Sequence, residues 1–104
     1  MACVVWSKTA QAARIEILLY GAEHFGKKSA QKLAAQIKRC TRLLADHPFM
    51  GQRLMKATSA RPEIRQLVIN QLFALVYYVD NDEQQVHILA IRDTRTDPAR
   101  LPGS

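Results

Sequence analysis

Basic side chains are the groups with the clearest chemistry on this 104-residue chain. The formal net charge is +6, and the segment from Lys27 to Arg65 holds ten basic residues against two acidic ones. Near the C-terminus, Arg92 and Arg95 flank Asp93. A positive field of this kind attracts polyanions or an acidic protein at rates that depend on ionic strength, without reading a sequence. A solvated helix face with an uneven charge would show the same pattern, so charge alone leaves both interpretations open.

Few groups on the chain could accept or donate a proton. Arginine stays charged because its pKa lies above roughly 12, so it can stabilise a phosphate but is a poor proton shuttle. The candidate bases are Lys56, His47, His87 and Asp93. His87 has the same parity in its strand as Leu89 and Ile91, which is typical of a packed or edge histidine. Asp93 suits a partner for a neighbouring arginine or a turn cap, and the structural role is the favoured interpretation.

Signals for other chemistries are missing from the sequence. It has no Gly-rich phosphate loop, no HExxH zinc pair and no nucleophile elbow. Cys3 and Cys40 lie far apart and form no CxxC, so we interpret both as buried small side chains. We therefore expect neither a metal site nor a cofactor.

Two helices are predicted in the first half of the chain. Apolar residues recur at three- and four-residue spacing over Ala10–Phe25 and again over Ala30–Asp46. Ser7 and Ser29 are the expected N-caps, and Gly26 is the expected stop between the helices. The first helix is apolar over an unusually wide arc. The short connection predicts a helical hairpin.

Three strand-like segments follow with short polar breaks, and they predict an antiparallel meander over Ile64–Ile69, Leu72–Asp80 and Val86–Asp93. The middle segment is apolar on both faces, so it needs cover on both sides. The helical hairpin can cover only one face, and the few residues after Asp97 are too short for a helix that would cover the other. We expect the uncovered face to take a partner and to be bordered by the strand arginines. The alternative is a central strand shielded by the chain's own loops.

Composition sets the remaining limits. The length suits one domain over residues 1–104, with residues 97–104 as a flexible tail, and 48% of the residues are hydrophobic. No apolar run approaches the roughly 18 residues of a membrane span, and the N-terminus lacks the pattern of a signal peptide. We expect a cytoplasmic α+β protein that does not associate with membranes.

An ordered set of local patterns resembles the RelE/ParE toxins of bacterial type II toxin–antitoxin pairs, also called plasmid stabilisation proteins. Each pattern is weak alone, but their order along nearly the whole chain is specific. The matching segments are Val4–Ser7 as the first strand, Ala10–Phe25 as the first helix, Ala30–Asp46 as the second, Leu44 to Gly51 as the "L…P…G" connection, Arg65–Leu67 as the "R-x-L" strand and Leu75–Val79 as the strand that usually carries a tyrosine.

The resemblance implies a fold and a partner. The fold would be an N-terminal strand and a two-helix hairpin packed on a four- or five-stranded, mostly antiparallel sheet. The partner would be a cognate antitoxin whose C-terminal segment wraps the toxin, and a homodimer or a heterotetramer with the antitoxin is left open. The residues expected to contact the antitoxin are Leu72, Ala74, Val76 and Tyr78.

The resemblance also implies two targets, since RelE-like members cut mRNA on the ribosome and ParE-like members poison DNA gyrase. As a nuclease, the chain would use Arg65, Arg95 and Lys56 in catalysis. Residues expected at the nucleic-acid or target surface are Arg65, Arg92, Arg95, Lys56 and Arg53. Two nuclease features are missing, because Ala74 stands where an arginine is expected and no tyrosine follows Tyr78.

These departures favour a gyrase poison or a catalytically degenerate member over an active mRNA endonuclease. Cleavage through a 2′-hydroxyl needs a base, an acid and fixed positive charge, and arginines supply only the charge. A basic nucleic-acid-binding domain without toxicity is the third interpretation. Whether the chain is an enzyme is left open.

Overall fold

The structure is a computed structural model that describes residues 2–94. It confirms the expected α+β architecture, with two helices packed on a five-stranded sheet. Arg95 and the predicted tail over 97–104 lie outside the described residues. The elements are β1 (Cys3–Trp6), α1 (Lys8–Phe25), α2 (Lys27–Asp46), β2 (Gln52–Met55), β3 (Ile64–Ile69), β4 (Phe73–Asp80) and β5 (Gln85–Asp93).

A single residue, Gly26, connects the two helices. Ser7 caps α1 as predicted, because its Oγ accepts a hydrogen bond of 3.0 Å from the Ala10 N–H. Gly26 ends α1 with a φ of +91°, a conformation that favours glycine, and α2 begins at the next residue. The prediction that Ser29 caps α2 is therefore wrong, since Ser29 lies inside the helix. Within residues 2–94, no helix has both the length and the apolar character needed to cross a membrane.

The sheet is mixed, with the strand order β1-β5-β4-β3-β2. β1 runs parallel to β5, and the other neighbours are antiparallel, so the predicted meander of β3, β4 and β5 is confirmed. β2 was not among the strands located by pattern. It has only four residues, all of them exposed, and so shows no alternation of apolar and polar positions.

Both helices cover the same face of the sheet. The core combines Leu75 and Tyr77 of β4 and Ile88 of β5 with Ile37 and Leu44 of α2. Because side chains alternate along a strand, Ala74, Val76 and Tyr78 lie on the opposite face. No helix or strand among residues 2–94 packs on that face.

A β-bulge in β5 changes which residues share a face. Val76 pairs with Ala90 but Tyr77 pairs with Ile88, so Leu89 is the extra residue. Ile91 therefore joins the core, whereas His87 lies on the uncovered face. The prediction that His87 and Ile91 share a face is wrong, because strict alternation does not hold across a bulge.

Gly51 fixes the connection between α2 and the sheet. Its N–H donates a buried hydrogen bond of 3.0 Å to the Tyr77 hydroxyl. A Cβ at this position would lie 2.5 Å from the Gln66 carbonyl oxygen and 2.5 Å from the Tyr77 hydroxyl. Only glycine lets the backbone approach the core this closely.

We expect Gly51→Ala to lower the free energy of unfolding by about 1–3 kcal/mol, because the added methyl group overlaps backbone and a buried ring. Gly21→Ala is the matched control. Nothing lies within 4 Å of a Cβ there, so this helical position should gain about 0.5–1 kcal/mol. Urea unfolding followed by circular dichroism measures both, and a shift of the same sign in the two variants would contradict the close packing at Gly51.

The buried Tyr77 hydroxyl should make the fold sensitive to alkali. Burial raises the pKa of Tyr77, and the Gly51 N–H and the Arg65 charge offset part of that rise. The folded state then binds more protons than the unfolded chain above about pH 10, so the contribution to stability is full below that pH and is lost as pH rises through the folded-state pKa. Burial also raises the pKa of Cys40, which acts with the same sign. The prediction that Cys3 is buried as well is wrong, because Cys3 is exposed at the start of the edge strand β1.

The variant Tyr77→Phe tests whether the buried hydroxyl causes this sensitivity to alkali. At neutral pH the substitution should lower the free energy of unfolding by about 1–3 kcal/mol, because the buried Gly51 N–H loses its acceptor. The difference in unfolding free energy between the wild type and Tyr77→Phe should narrow as pH rises above about 10. A difference that stays constant across this range would remove Tyr77 as the source of alkaline sensitivity.

Candidate binding surfaces

Arg65, the first candidate for catalysis, braces the loop between α2 and β2. Its Nη1 donates to the carbonyl oxygens of Phe49, at 3.0 Å, and Gly51, at 2.7 Å. Its Nε forms an ion pair with Glu63, and the guanidinium lies 5.4 Å from the centre of the Phe49 ring. Only 21% of the side chain is exposed. These contacts occupy much of the guanidinium and offset part of its charge.

The arginines predicted at the target surface do not all lie on one face of the sheet. Arg53 pairs with Arg65, which pairs with Tyr77, so both arginines lie on the face that the helices cover. Arg92 pairs with Ala74 and lies on the uncovered face. The expectation that strand arginines border the uncovered face is therefore wrong for Arg65, because strand parity directs it to the other side.

The candidate bases also lie apart. Met55, the residue before exposed Lys56, is in the same row of the sheet as Tyr78 and His87, but β3 and β4 lie between β2 and β5. The three inter-strand spacings of about 4.8 Å place Lys56 roughly 14 Å from His87. Asp93 pairs with Phe73, five residues along β4 from Tyr78, which is roughly 17 Å away. His47 is the exposed C-cap of α2.

The uncovered face has an aromatic end and a cationic end. Tyr78 and His87 stack with ring centroids 4.7 Å apart and an interplanar angle of 9°. At the other end, Nε of Arg92 is buried and has no hydrogen-bond partner within residues 2–94. Val68 and Val5 add exposed apolar surface. Ala74 is fully buried, so its side chain is not available to a partner, and we remove it from the predicted antitoxin contacts.

An apolar groove of about 990 Å³ lies between α1, α2 and the turn from β3 to β4. Tyr20, Phe25 and Leu72 line it and are largely exposed, and Lys32 lies among the lining residues. Leu72 therefore faces this groove, whereas the other predicted antitoxin contacts belong to β4. Sequence reasoning missed the groove, although the wide apolar arc of α1 was its signal.

Polar contacts hold the sheet side of this groove in place. The Asn70 side chain in the turn donates to Gln36 of α2 at 2.8 Å. Thr94 closes the turn from the other side, because its N–H donates to the Leu72 carbonyl at 2.9 Å and its Oγ1 to that of Gln71 at 2.7 Å. Asn70 and Gln71 both have positive φ angles, 44° and 68°, which the turn requires. The groove is thus defined by both sheet and helices.

No cluster of three or more His, Cys, Asp or Glu side chains suited to a metal ion occurs within residues 2–94. What the structure offers instead is two surfaces of mixed apolar and charged character. These are the groove, and the uncovered face with its Tyr78–His87 stack and Arg92.

Comparison with known proteins identifies the fold and the family. The family model described as the ParE toxin of the type II toxin–antitoxin system parDE matches residues 4–98. The chain belongs to this toxin family. No curated protein sequence shows significant similarity to it.

Two solved structures show the fold that this ParE-family chain shares. One is described as the chromosomal ParDE toxin–antitoxin system from P. aeruginosa, with a TM-score of 0.71, 18% identity and coverage of 91% of this chain and 98% of that one. The other is the toxin–antitoxin complex RelBE2 from Mycobacterium tuberculosis, with a TM-score of 0.58, 17% identity and coverage of 88% and 96%. At these identities the likeness shows the fold, and the resemblance drawn from sequence patterns is confirmed.

The structural role of Arg65 in this ParE-family chain leads to a prediction. Arg65→Ala should lower the free energy of unfolding by about 2 kcal/mol, because it removes charge-assisted hydrogen bonds to two loop carbonyls. Arg53→Ala is the matched control. Its side chain is 54% exposed and lies 3.8 Å from Glu63, so the change should stay within about 0.5 kcal/mol. Equal losses in urea unfolding would contradict the bracing role.

Proposed function

We propose that this chain is a toxin that inhibits DNA gyrase by binding it, and that it does not cleave RNA. The observation that carries the proposal is the position of Arg65. Its guanidinium is bound to Phe49, Gly51 and Glu63 on the helix-covered side of the sheet, away from Arg92.

The spacing of the candidate catalytic groups supports the same proposal. A phosphodiester cleavage site needs a base, an acid and a cation around one phosphate, each within hydrogen-bond reach of it. His87 lies roughly 14 Å from Lys56 across the sheet and roughly 17 Å from Asp93 along it, and Lys56 and Asp93 are farther apart still. A target that is bound rather than cleaved makes no such demand on geometry.

We further propose that a cognate antitoxin neutralises the chain in the cytoplasm by placing an amphipathic helix in the groove. Both solved neighbours are described as toxin–antitoxin systems or complexes. The groove exposes Tyr20, Phe25 and Leu72, which an apolar helix face would cover. The groove itself is lined by Glu16, Asp93 and Lys32, so the positive field on this side comes from α2, which carries six basic residues and one acidic residue and would attract an acidic antitoxin segment.

The uncovered face of the sheet is the proposed second contact. Val76 and Tyr78 remain from the contacts predicted for it, and Nε of Arg92, which has no partner among residues 2–94, would gain an acceptor from a bound chain. A buried donor without a partner costs stability, so a protein that supplies one is favoured there.

An RNase activity is the second candidate, and the Tyr78–His87 stack is the observation that favours it. The two rings are in contact on an open face where RNA bases could also stack. This activity would have to use a set of residues other than the arginines predicted from the family.

Measurements on the purified chain separate the two targets. We expect it to block supercoiling of relaxed plasmid by gyrase and to leave mRNA intact in a translating extract. RNA fragments that disappear in His87→Ala and Tyr78→Phe would assign a nuclease instead. Salt-sensitive nucleic-acid binding without either effect would identify a binding domain and contradict the proposal.

The antitoxin site is tested with the small acidic protein expected from the neighbouring reading frame. Phe25→Glu should weaken binding at least tenfold in calorimetry, because it places a charge in the groove. Leu19→Glu on the outward side of α1 is the matched control, since the two residues are 69% and 61% exposed, and it should change binding less than twofold. The reverse order of effects would place the antitoxin on the outer side of α1.

A further inference from the structure

The outward side of α1 carries an apolar stripe that no other part of the described chain covers. It consists of Ala12, Ile15, Leu19 and Ala22, all of which are exposed. Their separations of three, four and three residues place them along one line of the helix, on the side away from buried Ala10. This spacing matches one side of a helix–helix seam.

The order of side-chain sizes along the stripe is the same in both directions: small, large, large and small. A second α1 running antiparallel would therefore set Ala12 against Ala22 and Ile15 against Leu19. A two-fold axis near the middle of α1 would make both halves of the contact equivalent, as in a symmetric dimer. We infer that this chain forms an antiparallel homodimer through the stripe of α1.

Charge supports a second copy that runs antiparallel. Lys8 and Arg14 lie beside the N-terminal half of the stripe, where they share a surface depression with Ala12 and Ile15, and Glu16 and Glu23 lie towards its C-terminal half. An antiparallel copy therefore sets the basic half of one stripe against the acidic half of the other. In the antiparallel pair, Lys8 of one copy lies within about one helical turn of Glu23 of the other, and the two helix dipoles oppose each other.

The first test compares two glutamate substitutions at positions of equal exposure. Ile15 is 51% exposed and Met55, at the far edge of the sheet, is 52% exposed. We expect the wild type and Met55→Glu to sediment at twice the 11.8 kDa chain mass, and Ile15→Glu to self-associate at least tenfold more weakly. Circular dichroism checks that both variants are folded. A monomeric wild type at a concentration of hundreds of micromolar, or a dimer that survives Ile15→Glu, would overturn the inference.

The second test uses the ends of the stripe. Lys8→Glu should weaken self-association several-fold, because it sets two like charges together, and adding Glu23→Lys to the same chain should restore it. Recovery in the double variant requires the antiparallel arrangement, and its absence would overturn that arrangement.

This inference does not depend on the proposed antitoxin site. Phe25→Glu, which should lose antitoxin binding, should still sediment as a dimer. Ile15→Glu should lose the dimer and keep antitoxin binding within twofold. Loss of the dimer in both variants would overturn the assignment of self-association to the stripe, whereas failure of antitoxin binding alone would leave it intact.

Discussion

The hydrogen bond between the Gly51 backbone and the buried Tyr77 hydroxyl is the contact on which the arrangement of this molecule depends. It joins the loop after α2 to the central strand of the sheet, inside the core. Arg65 holds the same loop from the other side through two carbonyl oxygens. The loop then directs the chain into β2, so the edge of the sheet is placed by a polar contact in an otherwise apolar interior. Such contacts are specific because a buried donor without its acceptor is costly.

This constraint explains why a conspicuous arginine is structural here. A cation used to hold backbone carbonyls and a carboxylate is not available to a phosphate, whatever the motif around it resembles. Strand parity adds a second separation, since Arg65 and Arg92 lie on opposite faces of one sheet. A binding role toward a macromolecular target is consistent with this dispersal of charge, because a protein partner can contact several separate points. A single reacting phosphate cannot contact several separate points in this way.

The apolar surfaces are divided between three parts of the fold. The groove lies between the helices and a turn, the uncovered face lies across β3, β4 and β5, and the outward stripe lies on α1. Their charged surroundings differ. The basic side of α2 adjoins the groove, whereas the stripe has Lys8 and Arg14 beside one half and Glu16 and Glu23 towards the other. Charge of this kind distinguishes between partners that apolar area alone would not separate.

Local patterns determined the elements and their order. Sequence patterns correctly predicted the two helices, the Ser7 cap, the Gly26 stop and the three apolar strands. Together these features led to the correct family and fold. Each of these signals acts over a few neighbouring residues, so chain position is enough to read it. The same patterns did not predict the β2 strand and the bulge at Leu89, because pairing across the sheet decides both. They also did not predict that Ser29 lies inside α2, because the geometry of the connection at Gly26 decides where that helix begins.

The binding surfaces depended on tertiary structure in the same way. Alternation in β4 correctly divided Leu75 and Tyr77 from Val76 and Tyr78, but only pairing showed that Ala74 is buried and that Leu72 faces a groove. By itself the sequence determined which residues are apolar, charged or able to cap a helix. The tertiary structure decided which of them meet, because contacts between strands and across the helix–sheet interface join residues that are far apart along the chain.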